Sequence, residues 1–303
     1  MITNFFKNKI IILLLIITIL FIYTLIPKNT NDQITYQSVF NDYVYLLDQD
    51  NYLVRTEAIF SSNDQAALLK EKIAYLIIDS PQNILIDNAY KPLIPKNTKV
   101  LDLRIDDATI KVDFSKELLN ISPALEEKMI EAIIYTLTED DSIKEVMIFV
   151  EGTLITNLPN SHITLPKKLN REYGINKVSN LTDYKNIAKT TVYFIKDDHY
   201  LPVTLINNDN HEKVEIIINE LKSNNINDPD LVSYLKASTI LENYEILSNS
   251  INLSFNKYIF DDFKNKLISE EVKYAIYFSL KDNYQIKEVN YLYDNQVVSQ
   301  INT

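Results

Sequence analysis

Cysteine and tryptophan are absent from the 303 residues, and glycine occurs only twice, at 152 and 174. The missing thiols exclude disulfide frameworks, cysteine nucleophiles, zinc–thiolate sites and a lipid-carrying N-terminal cysteine. A phosphate-cradling loop needs clustered glycines, and neither Gly152 nor Gly174 sits in such a stretch. Rossmann dinucleotide binders and P-loop nucleotidases are therefore excluded. Without tryptophan, sugar stacking would fall to the tyrosines. Histidine is scarce as well. His162, His199 and His211 have no second histidine or carboxylate at ligand spacing, so no metal site and no cofactor are expected.

What is present is a chain long enough for two domains, with 46% hydrophobic residues to build their cores. Its N-terminus carries an uncharged apolar run, Ile10–Ile26, behind Lys7 and Lys9. At about 1.5 Å per helical residue this run reaches about 25 Å, enough for a bilayer core. Basic residues before it and polar ones after it orient the N-terminus to the cytoplasm. With no small-residue cleavage pattern following, the run is read as an uncleaved signal-anchor, a cleaved signal peptide being the alternative. The remainder then lies outside the cytoplasm. Removing the first 30 residues, with three lysines and no acids, takes the net charge from −11 to −14. By charge alone, that acidic exterior opposes binding to nucleic acid or to anionic lipid headgroups. Sequons at Asn120, Asn180 and Asn252 are chance matches in an Asn-rich chain.

An internal repeat organises the exported part. Residues 132–146, AIIYTLTEDDSIKEV, align without gaps to 275–289, AIYFSLKDNYQIKEV, at an offset of 143. TIKVDFSKELL aligns to SINLSFNKYIF at 141, and VYLLDQDNYLV (44–54) to VYFIKDDHYLP (192–202) at 148. Three blocks in one order at this long period mean tandem domains and not solenoid units.

In copy one, alternation around DQDN predicts a hairpin from 44 to 60. Ala66, Leu69, Ile73, Leu76 and Ile77 then form a helical stripe. Leu101, Leu103 and Ile105 share one strand face and Ile110, Val112 and Phe114 another, with DDA turning between them. Ser122 can cap a helix that Pro123 begins, Glu126 and Glu127 standing in its first turn. Leu125, Met129, Ile130, Ile133, Ile134 and Leu137 are its buried stripe. EVMIFV is a buried strand turned by Glu151–Gly152. The order is ββαββαβ(β), an α+β sandwich with helices on one face of a sheet. Copy two repeats it, with a helix on Val214, Ile217, Ile218 and Leu221, a strand ending at Phe255, a helix from Ser269 and the strand VNYLY. The expected organisation is a cytoplasmic 1–9, the anchor 10–26, a linker 27–40, domain one over 41–157, a connector 158–189 with Pro159, Pro166 and Gly174, and domain two over 190–303.

No catalytic constellation emerges. The acidic pairs Asp106–Asp107, Asp140–Asp141, Asp197–Asp198 and Asp261–Asp262 fall at predicted turns, whereas a glycosidase needs two carboxylates opposed across a sugar. Ser115 in VDFSKELL lacks the flanking glycines of a nucleophile elbow. Asp113 and Ser115 instead suit backbone capping at a strand-to-helix corner. Their counterparts Ser254 and Asn256 keep that ability and lose the carboxylate.

A strand reading ATIKVDFSKELL, a helix ending YTLTED and then IKEVMIFVEG together resemble the GerMN-domain family, and tandem copies behind an export signal fit it too. The resemblance covers nearly all of 41–303 and is strongest from 93 to 155. Two departures stand out: DDA replaces the usual glycine-bearing turn, and anchoring would pass through the helix 10–26 for want of a lipid-bearing cysteine. The resemblance implies a non-enzymatic domain, similar to ring-building motifs, used in envelope assemblies during sporulation or germination. It carries over no catalytic, cofactor-binding or metal residues. The expected partners are other envelope or sporulation membrane proteins, possible self-association, and the membrane through the N-terminal helix. An uncovered edge strand or a tyrosine-bearing sheet face would make the contact. Two rival functions remain open: a peptidoglycan- or glycan-binding or -modifying envelope protein, and a sensor-associated regulator of a membrane kinase or transporter.

Overall fold

The computed structural model describes residues 39–223, 226 and 228–302. The predicted cytoplasmic 1–9, the signal-anchor 10–26 and nearly all of the linker lie outside the described residues. Among those described, no helix is long and apolar enough to cross a membrane.

Copy one opens with the antiparallel hairpin β1 (Phe40–Leu47) and β2 (Leu53–Phe60), followed by α1 (Gln65–Leu76). β3 (Val100–Asp106), β4 (Thr109–Phe114), α2 (Pro123–Leu137), β5 (Glu145–Val150) and the short β6 (Thr153–Leu154) complete it. β7 (Val178–Ser179) leads into copy two. There β8 (Ala188–Lys196) and β9 (His199–Asn207) form the hairpin, followed by α3 (Lys213–Ser223). β10 (Leu241–Ile246), β11 (Ser250–Phe255), α4 (Glu270–Tyr284), β12 (Glu288–Tyr293) and β13 (Gln296–Asn302) finish the chain. Each copy therefore has the order ββαββαββ. The strands of each copy divide between two sheets: the hairpin stands apart from a mixed sheet, β3-β4-β5-β6 or β10-β11-β12-β13. β4 and β5 run parallel, as do β11 and β12, because a helix crosses between them.

The alternation works as predicted in β4 and β5, where Ile110, Val112, Phe114, Val146, Ile148 and Val150 all point into the first core. It fails in β3. A bulge between Val100 and Asp102 breaks the register, and Leu101 turns out to solvent while Leu103 stays buried. Scarcity of glycine is met by Asn and Asp at left-handed corners, among them Asn51, Asp107, Asp197, Asp198, Asp294 and Asn295. The tyrosines of VNYLY serve the core: Tyr291 is buried and its hydroxyl donates to the Lys273 carbonyl at 2.6 Å.

The segment 158–189 is built into the body. Leu158, Leu165, Leu169 and Ile175 belong to the first core, and Leu169 bridges Val146 on β5 beside the two-residue β6. Val54 of β2 crosses the other way and packs in the second core. The segment holds the copies together instead of spacing them.

Candidate functional site

Where the copies meet, equivalent residues face one another. In the first copy the Tyr45 N–H donates to Thr136 Oγ1 at 2.9 Å; in the second the Tyr193 N–H donates to Ser279 Oγ at 2.8 Å. Thr136 in the last turn of α2 and Ser279 within α4 each meet the first strand of the hairpin of their own copy. The phenol of Tyr45 donates to Glu139 at 3.2 Å and that of Tyr193 to Asp282 at 2.9 Å. The two phenolic oxygens lie 3.2 Å apart. Contact between equivalent residues marks an isologous, twofold-like pairing of the copies.

Arg171, from a short 310 turn of the connecting segment, closes this seam. Its Nη1 donates to Asp282 Oδ1 at 2.5 Å and Tyr193 OH at 3.3 Å. Its Nη2 donates to Glu139 Oε2 at 2.8 Å and the Tyr135 carbonyl at 3.2 Å, and Nε to Thr138 Oγ1 at 3.1 Å. A guanidinium has five N–H donors, so all five are used. Its plane also lies 4.7 Å from the Tyr135 ring. Arg55 of β2 adds a second cation on Glu139, through Nε at 2.9 Å and Nη2 at 2.5 Å, and stacks on Tyr43 at 3.3 Å. Two cations and two carboxylates balance one another with their side chains largely buried.

The electrostatics are unequal. Burial works against ionisation of Glu139, but Arg55 and then Arg171 outweigh it and hold this carboxyl far below its ordinary range. Burial pushes Asp282 upward, opposed chiefly by the single guanidinium of Arg171. Burial, and then the neighbouring carboxylate, push the Tyr45 and Tyr193 phenols up, so both remain protonated donors.

Two further fastenings flank the clamp. Asn176 stands between the hairpins: its Oδ1 accepts from Leu53 N at 2.9 Å, and its Nδ2 donates to the carbonyls of Leu53 and Pro202, both at 2.8 Å. One side chain thus supplies the bonds a paired strand would give. Lys196 donates to Asp48 at 2.6 Å and also binds Asp50. Lys196 and Asp48 are repeat equivalents, so here the duplicated position has diverged into an ion pair. Burial lowers the affinity of Lys196 for its proton, yet the hydrogen bonds it donates to Asp48 and Asp50 raise it above the ordinary value. Lys281 of α4 reaches Asp141 of copy one at 3.1 Å.

The cleft over Arg55, Glu139, Arg171 and Asp282 has a volume of about 90 Å3, well below the roughly 300–1,000 Å3 of small-molecule pockets. Its polar groups are directed at one another, which makes it a clamp. Of the residues considered for chemistry, Asp141 borders this cleft in its pair with Lys281, and the others lie elsewhere and apart. His162 is an exposed left-handed corner, His199 packs its ring on Tyr90, and His211 pairs with Asp209. Among the described residues no cluster could hold a metal ion. The acidic pairs sit at turns: Asp107, Asp197 and Asp198 are left-handed, and Asp140 and Asp262 cap the backbone of Ser142 and Asn265.

Asp113 and Ser115 do bond backbone, though across the sheet edge and not within the helix. Ser115 Oγ accepts from Lys99 N at 3.0 Å, and Asp113 from Gly152 N at 3.0 Å. Asn256 repeats the Ser115 role with Ile240 N at 3.1 Å. Ser122 occupies the cap position of α2 without a side-chain bond, whereas Ser269 caps α4 through Val272 N at 3.3 Å. The clamp residues were visible in the repeat: Tyr45 aligns with Tyr193, Thr136 with Ser279 and Glu139 with Asp282. Arg171 has no repeat partner and no such signal.

Comparison with known proteins agrees with this architecture. The family model described as "Germane: Sporulation and spore germination" matches residues 43–156. The spore germination protein GerM of Bacillus subtilis (strain 168) is 28% identical over 261 residues, covering 82% of this chain and 69% of GerM. The solved tandem GerMN domains of the sporulation protein GerM from Bacillus subtilis superpose with a TM-score of 0.77 at 26% identity, covering 86% of this chain and 93% of that one. The chain thus carries two tandem GerMN-like α+β domains and resembles the GerMN-domain family along most of its length.

Proposed function

We propose that this protein is a non-enzymatic, membrane-anchored extracytoplasmic scaffold of the cell envelope, acting in sporulation or spore germination. The observation that carries the reading is the clamp: Arg171 spends every donor on residues of both copies, which makes one rigid platform of two domains. Similarity to a spore germination protein across both copies supports the process, and the run at 10–26 supports the anchor. A platform of fixed geometry suits holding envelope partners at set positions. Enzymatic action would call for polar groups left open to a substrate, and those of this cleft are engaged with each other.

The test uses tagged full-length chain, cross-linked in sporulating cells of the source organism and recovered from membranes. Co-recovery of envelope proteins, together with a sporulation or germination defect on deletion, is expected. Recovery of the chain alone, with normal spores from the deletion strain, overturns the reading.

A further inference from the structure

Copy two carries a feature that copy one does without. From Phe114 the first copy passes through one 310 turn to Ser122 and into α2. From Phe255 the second reaches Ser269 only after an added hairpin, 261–267. Asp261 N and Asp262 N donate to the Leu267 carbonyl at 2.9 and 3.3 Å, and Leu267 N donates to that of Asp262 at 3.0 Å. The Asp262 carboxylate accepts from Asn265 N at 3.1 Å and Nδ2 at 2.6 Å, and Lys266 takes a left-handed φ of 53°.

The hairpin is fixed from beneath and open above. The Phe263 ring packs 5.9 Å from that of Phe260 and 5.8 Å from that of Tyr293, which closes β12. Even so, Phe263 is 52% exposed and Leu267 58%. Lys264 and Lys266 are exposed beside them, Lys266 lying over the Tyr293 ring at 5.9 Å. Exposed Lys257 and Tyr258 precede the hairpin. The local carboxylates are engaged, Asp261 with Lys236 at 3.1 Å and Asp262 within the turn. The tip is therefore apolar and cationic on a chain of net charge −11.

We propose that this hairpin is a lipid-contacting tip, seating Phe263 and Leu267 at the headgroup–acyl boundary of an anionic bilayer with Lys264 and Lys266 on the headgroups. The fold closes without it in copy one, so ordering it costs entropy that burial of its two apolar side chains does not offset. Aromatic residues flanked by lysine match the chemistry of the membrane interface, and lysines near an anionic surface are attracted individually. A stable protein contact needs about 800 Å2 from each partner, more than one such tip presents. Lipid, by contrast, yields around a small protrusion. This contact does not depend on the segment 10–26.

Because the chain has no tryptophan, Phe263→Trp gives the full-length protein a single tryptophan at the tip, excited at wavelengths beyond tyrosine absorption. The protein is added to preformed phosphatidylcholine vesicles with or without phosphatidylglycerol, in each case with brominated acyl chains. With phosphatidylglycerol present, the expected result is a blue shift and quenching that K264E/K266E reduces several-fold. Tyr184→Trp, at a position 93% exposed in the connecting segment, should stay unquenched. Leu267→Trp provides a second tip probe should Phe263→Trp disturb the packing on Tyr293. No quenching at either tip position overturns the proposal. So does a shift that grows with protein concentration in the absence of lipid, which would assign the tip to a protein contact. A chain that floats with the vesicles while its tip stays unquenched keeps the N-terminal anchor and rejects the tip.

Discussion

The two copies perform the same structural tasks with different side chains. At the hairpin–helix contact a threonine hydroxyl in copy one is a serine hydroxyl in copy two, Thr136 for Ser279. At the seam Glu139 answers Asp282, and at the sheet edge Ser115 answers Asn256. What persists is an acceptor of adequate reach aimed at a fixed backbone or cation; residue type is secondary. The copies part where charge is counted. Glu139 receives both Arg55 and Arg171, while Asp282 receives Arg171 alone. Duplication supplied the cradle twice, and the connecting segment filled it once.

That comparison can be broken most directly at Arg171. Arg171→Met should leave two carboxylates buried without their shared cation and cost about 3–5 kcal/mol, read as a fall in unfolding free energy by chemical denaturation. Gly174→Ala comes next. Its Cβ would stand 2.9 Å from Thr204 Cγ2 at a φ of +89°. Overpacking of about 1–3 kcal/mol adds to about 1–3 kcal/mol for holding a side-chain-bearing residue at a φ of 89° and ψ of 165°, a region essentially open only to glycine. Urea midpoints should register this, and a neutral result would mean the strand β9 can shift away.

Equivalence of the copies is sharpened by Thr136→Val and Ser279→Ala. Each orphans a buried tyrosine N–H and should cost about 1–3 kcal/mol; a large inequality between them would show that one hairpin is held by other means. Inequality is expected, however, with pH. The folded Glu139 carboxyl titrates below its unfolded value of 4.5, so the stability it contributes is present above that value and lost as pH falls through the folded one. Glu139→Gln should therefore be less stable than the parent at neutral pH, and the gap should close on acidification. Asp282, displaced upward, has the opposite sign, so stability declines as pH rises from its unfolded value through the folded one; Asp282→Asn should flatten that decline. Thermal melts across pH 2–7 read both. Asn256→Ala gives up its bonds with Ile240 N, Tyr258 N and the Ser238 carbonyl at an exposed edge, and the smallest effect belongs to Ser115→Ala, about 0.5–1.5 kcal/mol for the bond from Lys99 N.

Much of this was legible in the chain. The repeat announced tandem domains, and alternation in 110–114 and 146–150 marked the core strands, because adjacent residues on opposite faces leave a local pattern. The stripe of α2 was equally plain. Leu101 was missed because a bulge shifts register without changing composition. The assignment of hairpin and mixed sheet to separate sheets was missed because pairing is a long-range choice. The role of 158–189 was hidden for a related reason. Arg171 and Asn176 act through contacts with residues far away in sequence, and a single polar residue in an irregular stretch has no period to betray it.

The seam also limits what this molecule can assemble with. An isologous surface is self-complementary, so a lone domain bearing it could pair with any other copy. Here each half already occupies the other, and Arg171, belonging to neither repeat, breaks the symmetry by locking a pairing that can form only once per chain. The arrangement is thus a closed dimer written into one polypeptide. Any larger structure must grow from faces that the two halves do not share.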